Sequence, residues 1–433
     1  MNGKKISCFK IFSFFSIVSP MTVAIMKYNE RKTCRSCNSR KLTDVLSLGE
    51  QYLSDFVKRE DKPRRYPLDL ILCSRCHLLQ LKYTAPQSSL YTERYGYKSG
   101  INKTMKEELK EIVEKSLGKI KDQKVKKIVA VDIGANDGTL LGNYQKNIYR
   151  VAIEPINKFA RECKQHADIV INDFFNCQSY FKKVKKKKSH IVTAISCFYD
   201  IDTPNQFLSD VKKILHKNGV FVIQQNYLVG MLEQNAFDNI VHEHLEYYSL
   251  LSLENLLRKH GLETFDVEQS PINGGSFRTY ICHKNSRHIE NTVDQLRKYE
   301  KELKLNENRI YKLFANRVRK NRDNLHKFIV DLVKKNKRVY VYGASTRGNT
   351  LLQFCKLDKR LIKAAVERNP EKWGKKIASV GIPIISEEQA RKEKPDYMLV
   401  LPWFFKEEFL KREKSYLNAG GHFIFPLPKL EII

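Results

Sequence analysis

Residues 129–141 read Val-Ala-Val-Asp-Ile-Gly-Ala-Asn-Asp-Gly-Thr-Leu-Leu, and this stretch decides the fold. An apolar run followed by a Gly-x-x-x-Gly turn predicts a buried strand, a tight loop and the start of a helix. On either side of it, short apolar runs alternate with segments of helical periodicity. The strand candidates are Ile128–Ile133, Arg150–Ile153, Asp168–Ile171, His190–Ser196 and Val220–Gln224. The alternation predicts an α/β fold with a parallel, doubly wound, Rossmann-like sheet.

Acidic residues in the first strand and its loop indicate the ligand. Gly134 and Gly138 let the backbone approach a bound molecule closely at the carboxyl end of the strand. A phosphate-binding loop requires Gly-Lys-Ser or Gly-Lys-Thr, whereas Asp132 and Asp137 would repel a pyrophosphate. S-adenosylmethionine carries a cationic sulfonium and an ammonium group, which carboxylates attract. We therefore predict that this loop, with Asn136, binds S-adenosylmethionine.

The next two strands supply the other predicted cofactor contacts. Glu154 ends the second strand, about twenty residues on, where a carboxylate can bind both ribose hydroxyls. Asn172-Asp173-Phe174 ends the third, where Asp173 can pair with the adenine amine and Phe174 can cover the ring. A nicotinamide cofactor and an empty crevice in a fold of this class are the alternatives.

Four cysteines near the N-terminus form two Cys-x-x-Cys pairs, Cys34 with Cys37 and Cys73 with Cys76. Each two-residue gap aims two sulfurs at one ion, and four thiolates close the coordination of a structural Zn²⁺. The long gap between the pairs requires a folded or looped insertion. Two disulfides are the alternative, and they need an oxidising compartment. The remaining cysteines show no pairing pattern, so we expect reduced thiols and a cytoplasmic protein.

Composition and charge limit the number of domains and the classes of binding partner. With 433 residues, 42% of them hydrophobic, the chain can bury two to four cores. Its net charge of +30 invites a nucleic-acid interpretation, but the lysines are spread along the whole length and not clustered with aromatic residues. Residues 1–30 are interpreted as an extension. Lys10 and Pro20 interrupt its apolar part, which is too short for a membrane helix.

A second α/β unit is predicted after a charged helical connection. Its strand candidates are Val339–Tyr342, Ile362–Val366, Tyr397–Leu401 and His422–Phe425. The first is followed by Gly-Ala-Ser-Thr-Arg-Gly-Asn, a strand–turn–helix pattern that indicates an anion site. Ser345, Arg347 and Asn349 are the candidate substrate contacts, with Arg347 on a phosphate. A degenerate Rossmann-like domain used only for packing is the alternative.

The segment Val241-His-Glu-His-Leu follows the fifth strand, where loops of this architecture meet the substrate. Three consecutive polar side chains cannot all face one core, and adjacent side chains diverge too much for a usual metal triplet. Imidazole is suited to proton transfer near neutral pH, so the functional interpretation of this segment is acid/base catalysis. A polar helix cap is the structural alternative for His242, Glu243 and His244.

The order of these motifs resembles class I S-adenosylmethionine-dependent methyltransferases. Within that class it resembles the three-domain sugar C-methyltransferases, which act on nucleotide-linked keto-deoxyhexoses. The resembling features are the Cys-x-x-Cys pairs, the core, the His-Glu-His segment, Gly-Gly-Ser-Phe-Arg and Gly-Ala-Ser-x-Arg-Gly-Asn, over roughly residues 34–430. The resemblance implies a zinc-binding domain at 31–90, a methyltransferase domain at 91–285, and a helical connection with a Rossmann-like domain at 286–433.

The resemblance also implies roles for residues of the active site. His244 corresponds to the general base, with Glu243 orienting the sugar and His242 as the next candidate base. The family's active-site tyrosine falls on Tyr95 or Tyr97, whose phenol can stabilise an enolate oxygen. Val241 departs from the pattern, because related enzymes have a tyrosine there, and Tyr247 or Tyr248 is the candidate replacement.

We therefore predict a methyltransferase that acts on a carbon beside the ketone of a nucleotide-sugar, as a monomer or dimer without a membrane partner. Two other functions are compatible with the sequence. One is an O- or N-methyltransferase with the same cofactor. The other is a zinc-bearing nucleic-acid-binding protein with a relic core, whose affinity would fall steeply with salt.

Overall fold

A computed structural model describes residues 28–58, 64–92, 95–120, 127–185 and 187–433. Nearly all of the predicted N-terminal extension lies outside these residues. Among the described residues, no helix combines the length and apolarity needed to cross a bilayer.

The N-terminal unit is built on an antiparallel hairpin that separates the two cysteine pairs. Its strands are β1 (Asn29–Glu30), β2 (Leu42–Tyr52), β3 (Phe56–Val57), β4 (Arg65–Cys73), β5 (Leu79–Leu81) and β6 (Tyr83–Thr84). The long strands β2 and β4 pair from Leu42 opposite Cys73 to Tyr52 opposite Arg65. The expected insertion between the pairs is therefore this hairpin. Its inward residues, such as Leu68 and Leu70, are buried.

The central unit contains a seven-stranded sheet flanked by helices. Its helices are α1 (Gln87–Leu90), α2 (Lys103–Gly118), α3 (Thr139–Gly142), α4 (Asn157–Cys163), α5 (Cys177–Val184), α6 (Pro204–Ile214), α7 (Leu228–Glu233) and α8 (Leu250–Leu257). Its strands are β7 (Val129–Ile133), β8 (Tyr149–Ile153), β9 (Ile169–Ile171), β10 (Ser189–Ile195), β11 (Leu215–Asn226), β12 (Glu246–Tyr247), β13 (Leu262–Ser270) and β14 (Ser276–His283). All of them except β12 belong to the seven-stranded sheet.

The order of strands in this sheet is β13-β14-β11-β10-β7-β8-β9. Strands β7 to β11 run parallel, and β14 is antiparallel to both of its neighbours. The chain order reverses at β7, so ligands are expected at the carboxyl ends of β7 and β10. The predicted doubly wound α/β core is confirmed.

The Gly-Gly-Ser-Phe-Arg motif contributes a buried arginine to this core. Arg278, from Gly-Gly-Ser-Phe-Arg, is fully buried on β14 and bonds Gln224 Oε1 at 2.7 Å and Glu108 Oε1 at 2.9 Å. Because Glu108 belongs to α2, the ion pair attaches that helix to the sheet.

The C-terminal unit has a second sheet. Its helices are α9 (Asn291–Glu302), α10 (Asn308–Lys334), α11 (Thr346–Phe354), α12 (Glu387–Glu393), α13 (Lys406–Arg412) and α14 (Lys414–Asn418). Its strands are β15 (Val339–Tyr342), β16 (Ala365–Glu367), β17 (Lys376–Ile377), β18 (Ile382–Ser386), β19 (Tyr397–Val400), β20 (His422–Phe425) and β21 (Glu431–Ile432). The predicted helical connection corresponds to α9 and the 27-residue α10.

Two short strands join the units across sequence. The C-terminal sheet has the order β21-β20-β19-β15-β16-β18-β17-β3, so β3 of the N-terminal unit adds to its edge. Conversely, β12, which follows the His-Glu-His segment, pairs with β5 beside the second cysteine pair. The N-terminal unit is thus joined by backbone hydrogen bonds to the C-terminal sheet and to the loop of the central unit that carries the His-Glu-His segment.

Candidate active site

The four cysteines converge on one point at the base of the hairpin. The Sγ atoms of Cys34, Cys37, Cys73 and Cys76 all lie within 4.8 Å of one another. The pairs Cys34–Cys76 and Cys37–Cys73 are each 3.4 Å apart, far beyond a disulfide bond length. Zn–S bonds of about 2.3 Å in a tetrahedron need sulfurs at about this separation, so the donor set fits structural Zn²⁺.

The cysteine cluster is tied to the central unit by a buried arginine. Arg35 donates from Nε to Asp202 Oδ1 at 3.0 Å, from Nη1 to Leu81 O at 2.6 Å and from Nη2 to Thr84 Oγ1 at 2.7 Å. Thr84 and Asp202 also line the first of the two cavities described below. The zinc ligands and the wall of that cavity are therefore mechanically connected.

The first cavity, about 860 Å³, lies at the carboxyl ends of β7, β8 and β9. The predicted cofactor residues that line it are Asp132, Gly134, Asn136, Glu154, Asp173 and Phe174. Gly134 has φ +72° and therefore needs glycine's conformational freedom. A Cβ there would meet Cys197 Cβ and Sγ at 3.1 Å, so a larger residue would strain the loop before it touched a ligand.

Two of the predicted cofactor residues have structural roles instead. Asp137 accepts hydrogen bonds from Gly100 N at 2.8 Å and Thr139 N at 3.1 Å, and it does not line this cavity. A Cβ on Gly138 would meet Cys163 Cα at 3.1 Å, because that glycine packs against the end of α4. Neither Asp137 nor Gly138 lines this cavity, and the contacts of both residues shape the loop.

Two carboxyl groups of the first cavity, those of Asp132 and Glu154, are buried and have raised pKa values. Burial raises the pKa of Asp132 to about 7, against a hydrogen bond from Thr193 Oγ1 at 2.6 Å. Burial likewise raises the pKa of Glu154 to about 7, although Asn136 N and Ile156 N each donate to it at 2.8 Å. Each carboxylate oxygen accepts more than one hydrogen bond, so Glu154 retains capacity for ribose hydroxyls.

A second cavity, about 450 Å³, lies between the central and C-terminal units. It shares five lining residues with the first: Tyr95, Tyr97, Met105, Ser196 and Asp200. A methyl group held in the first cavity would therefore have direct access to an acceptor in the second. Both predicted tyrosines line both cavities. Tyr97 is 47% exposed and Tyr95 is partly buried, so Tyr95 is the better enclosed of the two.

His244 and Glu243 line the second cavity. His244 Nδ1 lies 2.8 Å from the carbonyl oxygen of Asn239, which can only accept, so Nδ1 carries the proton and Nε2 is the basic nitrogen. The ring packs edge-on against Tyr199, with centroids 4.5 Å apart. Burial lowers the pKa of His244 to about 4, so the imidazole is neutral at physiological pH.

The neighbouring candidates of the same segment are directed elsewhere. His242 is buried, with Nε2 3.1 Å from Tyr66 O in the N-terminal hairpin, and it lines neither cavity. Tyr247 and Tyr248 are buried and do not line the second cavity, because their hydroxyls donate to Asn239 O and Glu246 Oε2. They do not replace the hydroxyl missing at Val241, which does line it.

The three predicted substrate residues of the C-terminal loop have separate roles. Ser345 caps α11 by accepting from Gly348 N at 3.1 Å, and it lines the second cavity. Arg347 also lines it, but its guanidinium is held by buried Asp238, with Nε at 3.0 Å and Nη2 at 2.9 Å from Oδ2. Asn349 is buried, donates to Ser54 Oγ at 3.0 Å and does not line the second cavity.

Sequence reasoning missed several residues of the second cavity. They are Tyr199, Asp200, Arg368, Lys372, Phe404, Phe405 and Arg412. Tyr199 and Asp200 follow β10, the fourth parallel strand. Their position after the carboxyl end of a parallel strand is a sequence signal for a ligand contact, as it is for the predicted cofactor residues after β7, β8 and β9.

This fold and these cavities define an S-adenosylmethionine-dependent methyltransferase with structural zinc. Three family models match the chain: "Putative zinc binding domain" at residues 34–91, "Methyltransferase domain" at 101–267 and "C-methyltransferase C-terminal domain" at 271–428. Together the three matches span residues 34–428 and place a zinc-binding domain, a methyltransferase domain and a C-methyltransferase C-terminal domain in that order along the chain.

Similarity to individual proteins was found for one curated sequence and for solved structures. The C-methyltransferase NovU of Streptomyces niveus is 29% identical over 407 residues, which cover 92% of this chain and 96% of that protein. A methyltransferase structure from Clostridium acetobutylicum shares 12% identity, with TM-score 0.33, over 43% of this chain and 94% of its own. The magnesium protoporphyrin IX methyltransferase of Synechocystis with SAH shares 10%, with TM-score 0.33, over 44% and 90%.

The carboxylates of the first cavity predict how cofactor affinity depends on pH. Near neutrality Asp132 and Glu154 are partly protonated, and a bound cation favours their ionised forms. We expect S-adenosylmethionine binding to release protons and to tighten as pH rises through about 7, by up to about tenfold per pH unit for each proton released. Calorimetry in two buffers of different ionisation enthalpy measures this release.

Glu154→Gln is the matched control for this prediction. It keeps the shape of the side chain but cannot ionise, so the number of protons released should fall and the affinity should weaken. Binding that is independent of pH, with no proton release in the wild type, would contradict the placement of the cofactor on these carboxylates.

Proposed function

We propose that the protein methylates a carbon atom beside the ketone of a nucleotide-linked deoxysugar. The observation that carries the proposal is His244, a neutral imidazole whose Nε2 has no hydrogen-bond partner among the described residues, in a cavity that shares five lining residues with the cofactor cavity. Carbon becomes nucleophilic only after loss of a proton, and an adjacent ketone makes that loss feasible. The C-methyltransferase name of the relative NovU supports carbon as the acceptor.

His244 is the proposed general base, and Nε2 takes the proton from the carbon. The Asn239 carbonyl holds the ring through Nδ1 and stabilises the imidazolium that forms. Glu243 lines the same cavity, where burial raises its pKa, so its carboxyl is suited to hydrogen bonding with sugar hydroxyls. When bound, S-adenosylmethionine supplies an electrophilic methyl group.

The nucleotide part of the substrate is proposed to lie on the C-terminal unit. The residues from Tyr342 to Arg347, including the first turn of α11, line the cavity, and a helix N-terminus attracts phosphate. Lys372 lines it too, with Nζ 2.7 Å from the Ala344 carbonyl. Acidic side chains also line the cavity, so the support comes from the position of these groups and not from net charge.

The test is incubation with S-adenosylmethionine and a set of nucleoside-diphosphate keto-deoxyhexoses, with the product examined by NMR. We expect a new methyl signal on a carbon adjacent to the carbonyl. The matched control is the corresponding sugar with the ketone reduced to a hydroxyl, which should not react. A methyl group on oxygen or nitrogen, or equal reaction of the reduced sugar, would overturn the proposal.

A further inference from the structure

Asp200 lies where the cofactor cavity and the acceptor cavity meet, and the roles assigned above leave it unused. It lines both cavities, together with Tyr95 and Ser196. A group at this junction is close to the methyl donor and to the atom that receives the methyl group. Its chemistry therefore bears directly on the reaction.

The turn that presents Asp200 is held firmly in an unusual conformation. Ser196 has φ +54°, a left-handed conformation that is costly for a residue other than glycine. The turn persists because Ser196 N donates to Gln224 O at 2.8 Å and Asp200 N donates to Cys197 O at 3.1 Å. Backbone strain of this kind concentrates at functional sites.

The same turn is joined to the segment that carries His244. Leu245 N donates to Tyr199 O at 2.9 Å, and the Tyr199 ring packs against His244. Asp200 and His244 line the same cavity, and Tyr199, next to Asp200, fixes the position of one segment relative to the other.

The surroundings of the Asp200 carboxyl favour its neutral form. Its Oδ1 atom is inaccessible to water and has no hydrogen-bond partner among the described parts of the chain. Burial, followed by the negative charges of Glu243 and Glu246, raises the pKa of Asp200 well above its ordinary value, opposed by a hydrogen bond from Tyr91. The other titratable groups that interact with it are the tyrosines Tyr95, Tyr199 and Tyr247 and the thiol of Cys197. A carboxyl that stays protonated is a hydrogen-bond donor.

We propose that Asp200 is a catalytic residue that donates a hydrogen bond, as a neutral carboxylic acid, to the ketone oxygen of the substrate while the enolate forms. The inference rests on the proposed function. As His244 takes the proton, the C–H electron pair becomes a C=C bond and the C=O pair moves onto oxygen, where the Asp200 O–H stabilises it. When the carbon takes the methyl group, the C=O bond forms again and the S–CH₃ bond breaks with its electrons on sulfur. Asp200 keeps its proton throughout, and His244 returns the abstracted proton to water.

A neutral carboxyl suits this position better than an ionised one. A carboxylate would repel the developing enolate oxygen, whereas a buried protonated carboxyl stabilises it by donation, a known strategy for enolate-forming active sites. Removal of one such donor costs about 10²–10³-fold in kcat.

The test compares Asp200→Asn with Asp200→Ala, using a nucleoside-diphosphate 4-keto-6-deoxyhexose and S-adenosylmethionine. The amide of Asp200→Asn keeps an N–H donor but cannot act as a base or carry charge. We expect it to retain kcat within about tenfold of the wild type, while Asp200→Ala loses about 10²–10³-fold. The unfolding midpoint should stay near wild type in both variants, which separates lost chemistry from lost structure, and calorimetry measures any change in affinity for S-adenosylmethionine separately from kcat.

The outcomes distinguish this inference from the proposed function. If the wild type is active but Asp200→Asn is as impaired as Asp200→Ala, an ionised carboxylate is required and the inference is overturned alone. Full activity in Asp200→Ala would overturn it as well. A wild type that leaves every keto-sugar probe unmethylated would overturn the proposed function and this inference together.

Infrared spectroscopy tests the protonation state of Asp200 directly. In the difference spectrum between wild type and Asp200→Asn near neutral pH, we expect a protonated carboxyl band from Asp200. A carboxylate band in its place would count against the inference.

Discussion

Replacing His244 with asparagine is expected to reduce methyl transfer by about 10²–10⁴-fold while leaving cofactor binding intact. Asparagine can keep the hydrogen bond to the Asn239 carbonyl through its amide, but it has no basic nitrogen to take a proton. His244 lines the acceptor cavity and not the cofactor cavity, so affinity for S-adenosylmethionine should not change. Steady-state kinetics and calorimetry on the same preparation measure the two effects separately.

Solvent deuterium exchange isolates the proton transfer. A keto-sugar nucleotide incubated in D₂O with wild-type enzyme should exchange the hydrogen beside its ketone, even without a methyl donor, and the variant should not. Because the pKa of His244 is lowered to about 4, the imidazole is already neutral across the physiological range. The rate should therefore show no inflection from this residue between about pH 6 and pH 8.

His242→Asn is the matched control, because it changes the same side chain two residues away. His242 bonds Tyr66 O outside both cavities, so its loss is expected to affect stability more than chemistry. Exchange and turnover that survive in His244→Asn but disappear in His242→Asn would reverse the assignment.

The regular core was predictable because its signals are local. The apolar run ending at Ile133 and the acidic residue Glu154 at the next strand end are sufficient to indicate a parallel sheet with a ligand at its carboxyl edge. The same local pattern could not separate ligand contacts from loop architecture. Asp137 and Gly138 belong to the motif, yet the first closes a turn and the second packs against α4.

The connections between units were not predictable, because nothing local specifies them. Strands β3 and β12 have two residues each, and their partners lie far away in sequence. Likewise, Arg347 satisfies a phosphate-binding pattern, but the structure pairs it with Asp238, more than a hundred residues earlier. Such pairings depend on the tertiary arrangement, in which a buried charge is retained only next to a partner.

Loss of zinc is expected to be the most damaging single change to the fold. A structural Zn²⁺ in a closed thiolate site contributes on the order of 10 kcal/mol, which is comparable to the whole stability of a domain. We therefore expect the double variant Cys73→Ser, Cys76→Ser to be largely insoluble. Metal analysis of the wild type purified under reducing conditions should give one zinc per chain, since one four-sulfur cluster is found among the described residues.

The matched control is Cys163→Ser, Cys177→Ser, which changes two buried cysteines outside the cluster. The Cys163 thiol donates to Asn136 O and the Cys177 thiol interacts with Asp210, and a serine hydroxyl can keep both contacts. This control should remain soluble with its zinc. Wild-type protein without zinc, or a soluble and folded cluster variant, would contradict a structural metal site.

Loss of zinc from the four-cysteine cluster should also disturb both cavities, because segments next to the cluster contact the residues that form the cavities. Arg35, between two of the ligands, bonds Thr84 and Asp202 in the wall of the cofactor cavity. Strand β5, which begins three residues after Cys76, pairs with β12, just after His244. Partial removal of zinc with a chelator should therefore weaken S-adenosylmethionine binding and slow methyl transfer before the protein precipitates. If activity persists unchanged in zinc-depleted protein that remains in solution, the cluster does not support the active site in this way.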